Sequence, residues 1–498
     1  MRQGPLAGRY PAAAAMVMFA LIPYLALSAA IGPVTPIIGR DLHISPQAMS
    51  LGSGMANAAY AVGTVMAVQF AQLLRQRRMM VLYVSLLVIG SILAAAAQNP
   101  AMFIGGHVLQ GLSTSLLLIA AVPPLALGFG VEKFRSTAVI MSMCIFGAVT
   151  LGPAIGGLQA DAHAWRPLFW VIAGISAAAL VLALFTFEDT PPADTTAPRN
   201  PLPIGLAAVG SVAAFYGASE LSTHKFLEFR TVGLLIAGLA LIVVLIIHQA
   251  RAERPLLTIR TMLTSTIPVA GIVLALFAAA ASVSATALTA GLLAERYSPL
   301  HVGLLYLPEL AGAILTAVLL GLVINKRALQ YLPLSGMVFL AAGIAVFRIQ
   351  VPPTQALTLI GSGLLGIGLG ATVAPALFTA GFSLPAATLQ RVFAIVELLR
   401  AVAAFMIAPV FAHFAVTVGG DPTTGTGIAL WIALGLAVAG AVVPLVIYVL
   451  SGARPETPQL DRFMNGEGPA WESPPLLAGA HGRATRLRLR LAGATVRS

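Results

Sequence analysis

Residues 234–247 read Leu-Leu-Ile-Ala-Gly-Leu-Ala-Leu-Ile-Val-Val-Leu-Ile-Ile, with no polar side chain among them. With its flanks, from 229 to 249, this run reaches the roughly 20 apolar residues that a helix needs to cross the hydrocarbon of a bilayer. No water is present there to satisfy backbone N–H and C=O groups, so the chain must bond to itself as a helix. Comparable runs occur at 12–35, 50–72, 79–98, 101–128, 135–159, 165–187, 201–220, 265–291, 300–324, 331–348, 354–381, 390–416 and 427–450. Placing 201–220 and 229–249 outside the membrane would leave twelve, but Leu234 to Ile247 are too uniformly apolar for that. Composition agrees: mean hydropathy is +0.93, 58% of residues are hydrophobic and 9% are charged, against about 25% charged in soluble domains. The expected fold class is an all-α polytopic membrane protein with fourteen spans.

Lys and Arg placement gives the expected orientation. With both termini inside, alternate inner segments hold 21 basic residues and the outer ones hold six: Arg40, Arg166, Lys225, Arg230, Arg296 and Arg348. Arg400 falls within a span. The net charge of +11 is therefore a topology signal and implies no nucleic-acid partner. Arg2, Arg9 and the apolar run after them could pass for a signal peptide, but cleavage would leave thirteen spans and reverse the basic loops. The reading is an uncleaved first span in an inner (plasma) membrane. The lone cysteine, Cys144, excludes a disulfide framework.

A Pro-rich stretch from Glu188 to Pro203 divides the chain. The expected units are a six-helix bundle over 1–188, a linker with two extra spans over 189–250, and a second six-helix bundle over 251–450. A basic cytoplasmic tail, 451–498, is expected to be disordered. Its Arg483–Arg490 stretch and Arg497 could instead be drawn to anionic lipid, at about 1 kcal/mol per basic residue near the surface. An internal repeat supports the division. Gly111-Leu112 precedes Pro123 by twelve residues, as Gly363-Leu364 precedes Pro375, and Arg135 and Arg391 follow at similar places. The basic loop Arg75, Arg77 and Arg78 likewise corresponds to Lys326-Arg327. Parallel repeats of this kind build transporters with a central site between their halves.

The densest local pattern is Gly152-Pro153-Ala-Ile-Gly156-Gly157. Small residues on one helix face admit a second backbone at close range, and the proline bends the helix. The pattern resembles the antiporter motif of the major facilitator superfamily, and Trp165-Arg166-Pro-Leu-Phe169 resembles the opening of that family's sixth helix. Pro36 to Leu42, Arg254-Pro255-Leu256 with Ile259-Arg260, and Ser298 to Gly303 with Leu307-Pro308 extend the likeness over most of the chain. The best overall likeness is to the fourteen-helix drug:proton antiporter branch. It implies two bundles joined by two extra helices, and proton-driven efflux of amphipathic compounds. The chain also departs from that pattern. Val68 and Gln72 replace a glycine and an aspartate of the cytoplasmic gating loop, leaving its basic end at Arg75, Arg77 and Arg78. His107-Val-Leu-Gln110-Gly111 stands for Arg-x-x-Gln-Gly, and Leu27 occupies the place of a first-helix aspartate that carries protons in the branch.

A charge at the bilayer centre costs at least about 2.5–3.5 kcal/mol, so each intramembrane ionisable group should face a partner or a cavity. Glu309, nine residues into its run and so roughly 13 Å deep, is the first candidate for a protonatable or cation-recognising carboxylate. The alternative is a structural hydrogen bond after Pro308. His107 either titrates or packs as a neutral ring. Glu397 and Arg400, three apart, most simply neutralise each other, although the family often has an arginine at the latter place. Gln69 and Gln110 could hydrogen-bond a ligand, while Glu220, Lys225 and Glu228 are read as solvating an outer loop.

No phosphate-binding Gly-x-x-x-x-Gly-Lys loop, His-Glu-x-x-His pair or cysteine pair occurs, so no cofactor, metal or enzymatic activity is expected. The expected partners are a small-molecule substrate, protons and the lipid bilayer; an accessory periplasmic partner stays open. The expected function is proton-coupled efflux of hydrophobic or amphipathic small molecules. The alternatives are a specific metabolite exporter or importer, or a transport-inactive sensor or scaffold.

Overall fold

Helix-start chemistry cuts the apolar runs into separate rods. Ser45, Asn99, Asn200, Ser298, Thr354 and Asp421 each accept a hydrogen bond from a backbone N–H in the first turn, and all but Thr354 are followed by proline in that turn. Such side chains satisfy donors that the helix leaves unpaired, and proline lacks the donor altogether. The structure, a computed structural model, describes residues 5–187, 191–192, 200–418, 420–476 and 478.

All fourteen expected spans are present as helices: α1 Tyr10–Asp41, α2 Pro46–Leu73, α3 Gln76–Ala95, α4 Pro100–Leu127, α5 Val131–Asp161, α6 Arg166–Thr186, α7 Pro201–Glu220, α8 Phe229–Arg251, α9 Thr266–Ala294, α10 Pro299–Val323, α11 Leu332–Ile349, α12 Gln355–Phe382, α13 Ala386–Thr417 and α14 Pro422–Ser451. An even number of crossings puts the start of α1 and the end of α14 on one side, called here the terminal face; the opposite side is the far face.

The repeat seen in the sequence is a repeat of packing. Within α1–α6 the main contacts are α2 with α4, α3 with α4, α1 with α5, α3 with α6 and α1 with α6. Within α9–α14 they are α10 with α12, α11 with α12, α9 with α13, α11 with α14 and α9 with α14. Each pair maps onto its counterpart eight helices on. The two bundles meet along two seams, α5 against α10 and α2 against α13, which are each other's equivalents under the same mapping.

The two extra helices break this symmetry. α7 packs along α2 and touches α13, whereas α8 packs chiefly on α7 and leaves most of its surface to lipid. At the far face Ser50 Oγ donates to Ser219 O at 3.3 Å, and His413 Nδ1 on α13 lies 3.0 Å from Leu221 O. α7 therefore bridges the halves at one seam. The assignment of Glu220 to a solvated loop is corrected here. Its carboxylate is buried and pairs with His224 Nδ1 at 2.9 Å.

The tail read as disordered from 451 on is folded as far as residue 476. Gly452, at φ 72, ends α14 in the left-handed conformation that glycine adopts without strain. The chain then crosses the terminal face through a short helix, Leu460–Met464, and its residues Leu460, Phe463, Ala470 and Trp471 are buried. The sequence misleads because five prolines and few apolar residues resemble a linker, while two aromatic anchors suffice to dock it. Arg199, Arg483–Arg490 and Arg497 lie outside the described residues.

Candidate functional site

The α5–α10 seam is built from backbone. A Cβ on Gly157 would lie 2.5 Å from Pro299 O and 2.7 Å from Leu300 Cα of α10, and one on Gly303 of α10 would collide with the Pro153 carbonyl. Gly152 and Gly156 face the other way, where a Cβ would strike Ala26, Ala29 and Ala30 of α1. The Gly152–Gly157 element thus welds α5 to α1 within one half and brings it against α10 of the other. A π-helical turn at Met143–Gly147 precedes it, and Gly147 lies beside Leu310 of α10. Ser298 Oγ donates to Asp161 Oδ2 at 3.1 Å where this seam reaches the far face.

The α2–α13 seam is built from side chains. Arg400 Nη2 donates to Glu397 Oε2 at 2.7 Å, and its Nε lies 3.1 and 3.0 Å from the two carboxylate oxygens. This is the pairing expected at i,i+3, and Glu397 is only 1% exposed. Tyr60 of α2 crosses the seam to donate to Glu397 Oε2 at 3.4 Å, and its ring meets Phe405 edge-on at 6.3 Å. Behind it Tyr24 of α1 stacks on Tyr60, with centroids 6.5 Å apart and planes at 16°. The Tyr60–Glu397 contact, 337 residues apart in the chain, has no sequence signal beyond an aromatic residue in an apolar run.

The other candidates do not converge on this cluster. His107 Nδ1 lies 3.4 Å from Gln110 Oε1, and Gln110 Nε2 donates to Ser91 of α3 at 3.1 Å, so both are held inside the first bundle. The His107 ring packs between Phe103 and Tyr24, which connects it to the tyrosine stack. Gln69 is buried with its Nε2 unpartnered, and Leu27 is fully buried. Of the basic loop, Arg77 Nη2 donates to Leu184 O of α6 at 3.0 Å, within the same bundle. The Trp165-Arg166 pair ties far-face ends together. Trp165 Nε1 donates to Asp41 Oδ2 at 2.8 Å, and Arg166 Nη1 donates to Ala95 O and Ala97 O while its guanidinium covers the indole.

Glu309 stands apart. α10 breaks at Tyr306, and Glu309 lies in the first turn of the half-helix Leu307–Val323 that follows. The side chain is buried, yet its carboxylate has no hydrogen-bond or ion-pair partner among the described residues; the structural hydrogen bond weighed as its alternative role is not formed. The Glu309 N–H bonds Tyr306 O at 3.0 Å, and the positive end of the half-helix dipole favours a negative charge there, which offsets part of the cost of burying one. No cluster of His, Cys, Asp and Glu suited to a metal occurs among the described residues.

Two pseudo-equivalent six-helix bundles, meeting along two seams with ionisable groups in their spans, define a polytopic transporter of the two-bundle type. The description Major Facilitator Superfamily matches residues 17–249. The drug efflux pump JefA of Mycobacterium tuberculosis is 26% identical over 362 residues, covering 69% of this chain and 68% of that protein. Multidrug resistance protein Stp of the same organism is 28% identical over 364 residues, covering 70% and 66%. Among solved structures, the proton:xylose symporter XylE aligns with TM-score 0.62 at 12% identity over 88% of this chain and 95% of its own. The human organic anion transporter MFSD10 aligns at 0.61, also at 12% identity, over 88% and 99%. The first half of the chain is thus similar to the Major Facilitator Superfamily, and the chain shares the fold of XylE and MFSD10.

Proposed function

We propose that this transporter exports hydrophobic or amphipathic small molecules in exchange for protons. In this reading it sits in the inner (plasma) membrane with its terminal face in the cytoplasm, as the basic residues argue. The observation that carries the reading is Glu309, a buried carboxyl with no partner among the described residues, on a broken span. A group so placed can hold a proton when the pathway opens to one side and release it when the pathway opens to the other. The Glu397–Arg400 pair is internally neutral and is assigned to holding α13 and contacting substrate through the Tyr60 side of the seam. The names of the relatives, drug efflux pump and multidrug resistance protein, support the substrate class.

Flux in proteoliposomes, with and without an imposed pH gradient and against a panel of amphipathic compounds, tests the reading. Export accelerated by the gradient is expected, with Glu309→Gln losing that acceleration while retaining downhill exchange. Gradient-independent flux in the unaltered protein would remove proton coupling, and no flux of any amphipathic compound would remove the substrate class.

A further inference from the structure

At the terminal face, six aromatic rings from three parts of the chain form one continuous cluster. Phe134, at the start of α5 in the first half, lies 5.9 Å from Phe378 and 5.3 Å from Phe382, both on α12 in the second. Phe393 of α13 meets Phe378 edge-on at 6.1 Å. The folded tail adds two more. Phe463 and Trp471 pack on Phe382 at 5.2 and 5.7 Å, and all six side chains are buried.

The tail is fastened to the second half by backbone. Ala470 N donates to Phe382 O at 2.8 Å, Thr266 N to Pro474 O at 3.0 Å, and Leu476 N to Thr264 O at 3.3 Å. Ile267 N donates to Ser473 Oγ at 2.9 Å, and Gln459 N donates to Ala470 O to close the loop on itself. These bonds occupy N–H groups at the start of α9 and a carbonyl at the end of α12, groups that a helix cannot pair internally. The tail therefore moves with the second half. Its short helix, Leu460–Met464, also lies against α5 of the first half.

We infer that residues 453–476 form a strap that holds the terminal-face mouth shut, by enlarging the aromatic surface the second half offers to Phe134 and α5. To open that mouth the halves must part between α5 and α12, which exposes Phe134, Phe378 and Phe382 and lifts α5 off the strap. Every ring buried across that line adds apolar area and edge-to-face contact to the closed state alone. The inference concerns the motion of the halves and holds whatever the substrate.

The test is a distance measurement by paired spin labels in the full-length chain, on a Cys144→Ala background. One pair, Ser136→Cys with Ala328→Cys, uses exposed positions at the terminal face; a second, His163→Cys with His301→Cys, reports the far face. The expected result is that Phe463→Ala, Trp471→Ala, or ending the chain after Gly452 raises the population of long terminal-face distances by about fivefold. The far-face distances should stay or shorten. Unchanged terminal-face distances in folded Phe463→Ala and Trp471→Ala proteins would overturn the strap. So would equal broadening at both faces, the mark of a general loosening. If the truncated chain does not fold, the two point variants decide the matter alone.

Discussion

The α5–α10 and α2–α13 seams occupy equivalent places in the two repeats yet are made of different chemistry. At α5–α10 backbone lies on backbone: Gly157 faces Pro299 and Leu300, and Gly303 faces Pro153. At α2–α13 the partners are long side chains, Tyr60 reaching Glu397, which Arg400 neutralises. The first has no slack, because any added atom must displace a main chain. The second can be remade, because its contacts depend on rotamers and on one long hydrogen bond. α7 lies along the second seam alone, bridging it at the far face through Ser219 and Leu221. A duplicated fold has thus kept one junction rigid and made its counterpart polar and externally braced.

Breaking the rigid seam should have the largest effect. Gly157→Leu would force α5 and α10 apart, and flux in proteoliposomes should fall to background; near-normal flux would mean the halves do not need this approach. Next comes the polar seam. Arg400→Met leaves Glu397 buried without its partner and should cost about 3–5 kcal/mol of stability. Adding Glu397→Gln should restore most of it, and thermal unfolding in detergent of both variants gives the answer. Equal losses in the single and double variants would show that the pair is not what holds α13.

The brace can be probed separately. Gly54→Val on α2 would meet Ser219 Oγ and the Phe215 carbonyl of α7, and should cost about 1–3 kcal/mol through overpacking. It should weaken the polar seam and leave Gly157-dependent behaviour untouched. Cysteine crosslinking between α7 and α13 would report the separation directly. The smallest effect is expected of Tyr60→Phe, about 0.5–1 kcal/mol, since the hydroxyl makes one 3.4 Å bond and the ring stays in place. A loss above about 2 kcal/mol would mean that this contact across the seam matters more than its length suggests.

A close backbone approach on α5 was legible because it demands glycine at fixed spacing, as in the Gly152–Gly157 run, but not that Gly152 and Gly156 would face α1 and Gly157 would face α10. Neighbours on one helix were legible for a similar reason, as with Glu397 and Arg400 at i,i+3. Tyr60 was hidden by comparison. One aromatic residue among many cannot announce a partner 337 residues away. Glu220 was misread because its burial depends on how α7 sits against α2, and nothing in its flanking sequence encodes that. The folded tail was missed because Phe463 and Trp471 are too sparse to form a periodic pattern, and they dock on Phe382, some eighty residues away at the end of α12.

The sequence by itself determined the fourteen crossings, the internal repeat and the close-packed glycine element. Hydrocarbon sets the length of every span locally, and steric need for glycine is a property of single positions. Only the tertiary structure decided which buried polar groups are paired and which, like Glu309, have no partner among the described residues. It alone placed the brace and the tail across the junction of the halves. Those facts depend on contacts between segments hundreds of residues apart, whose energies come from mutual burial rather than from any local preference of the chain.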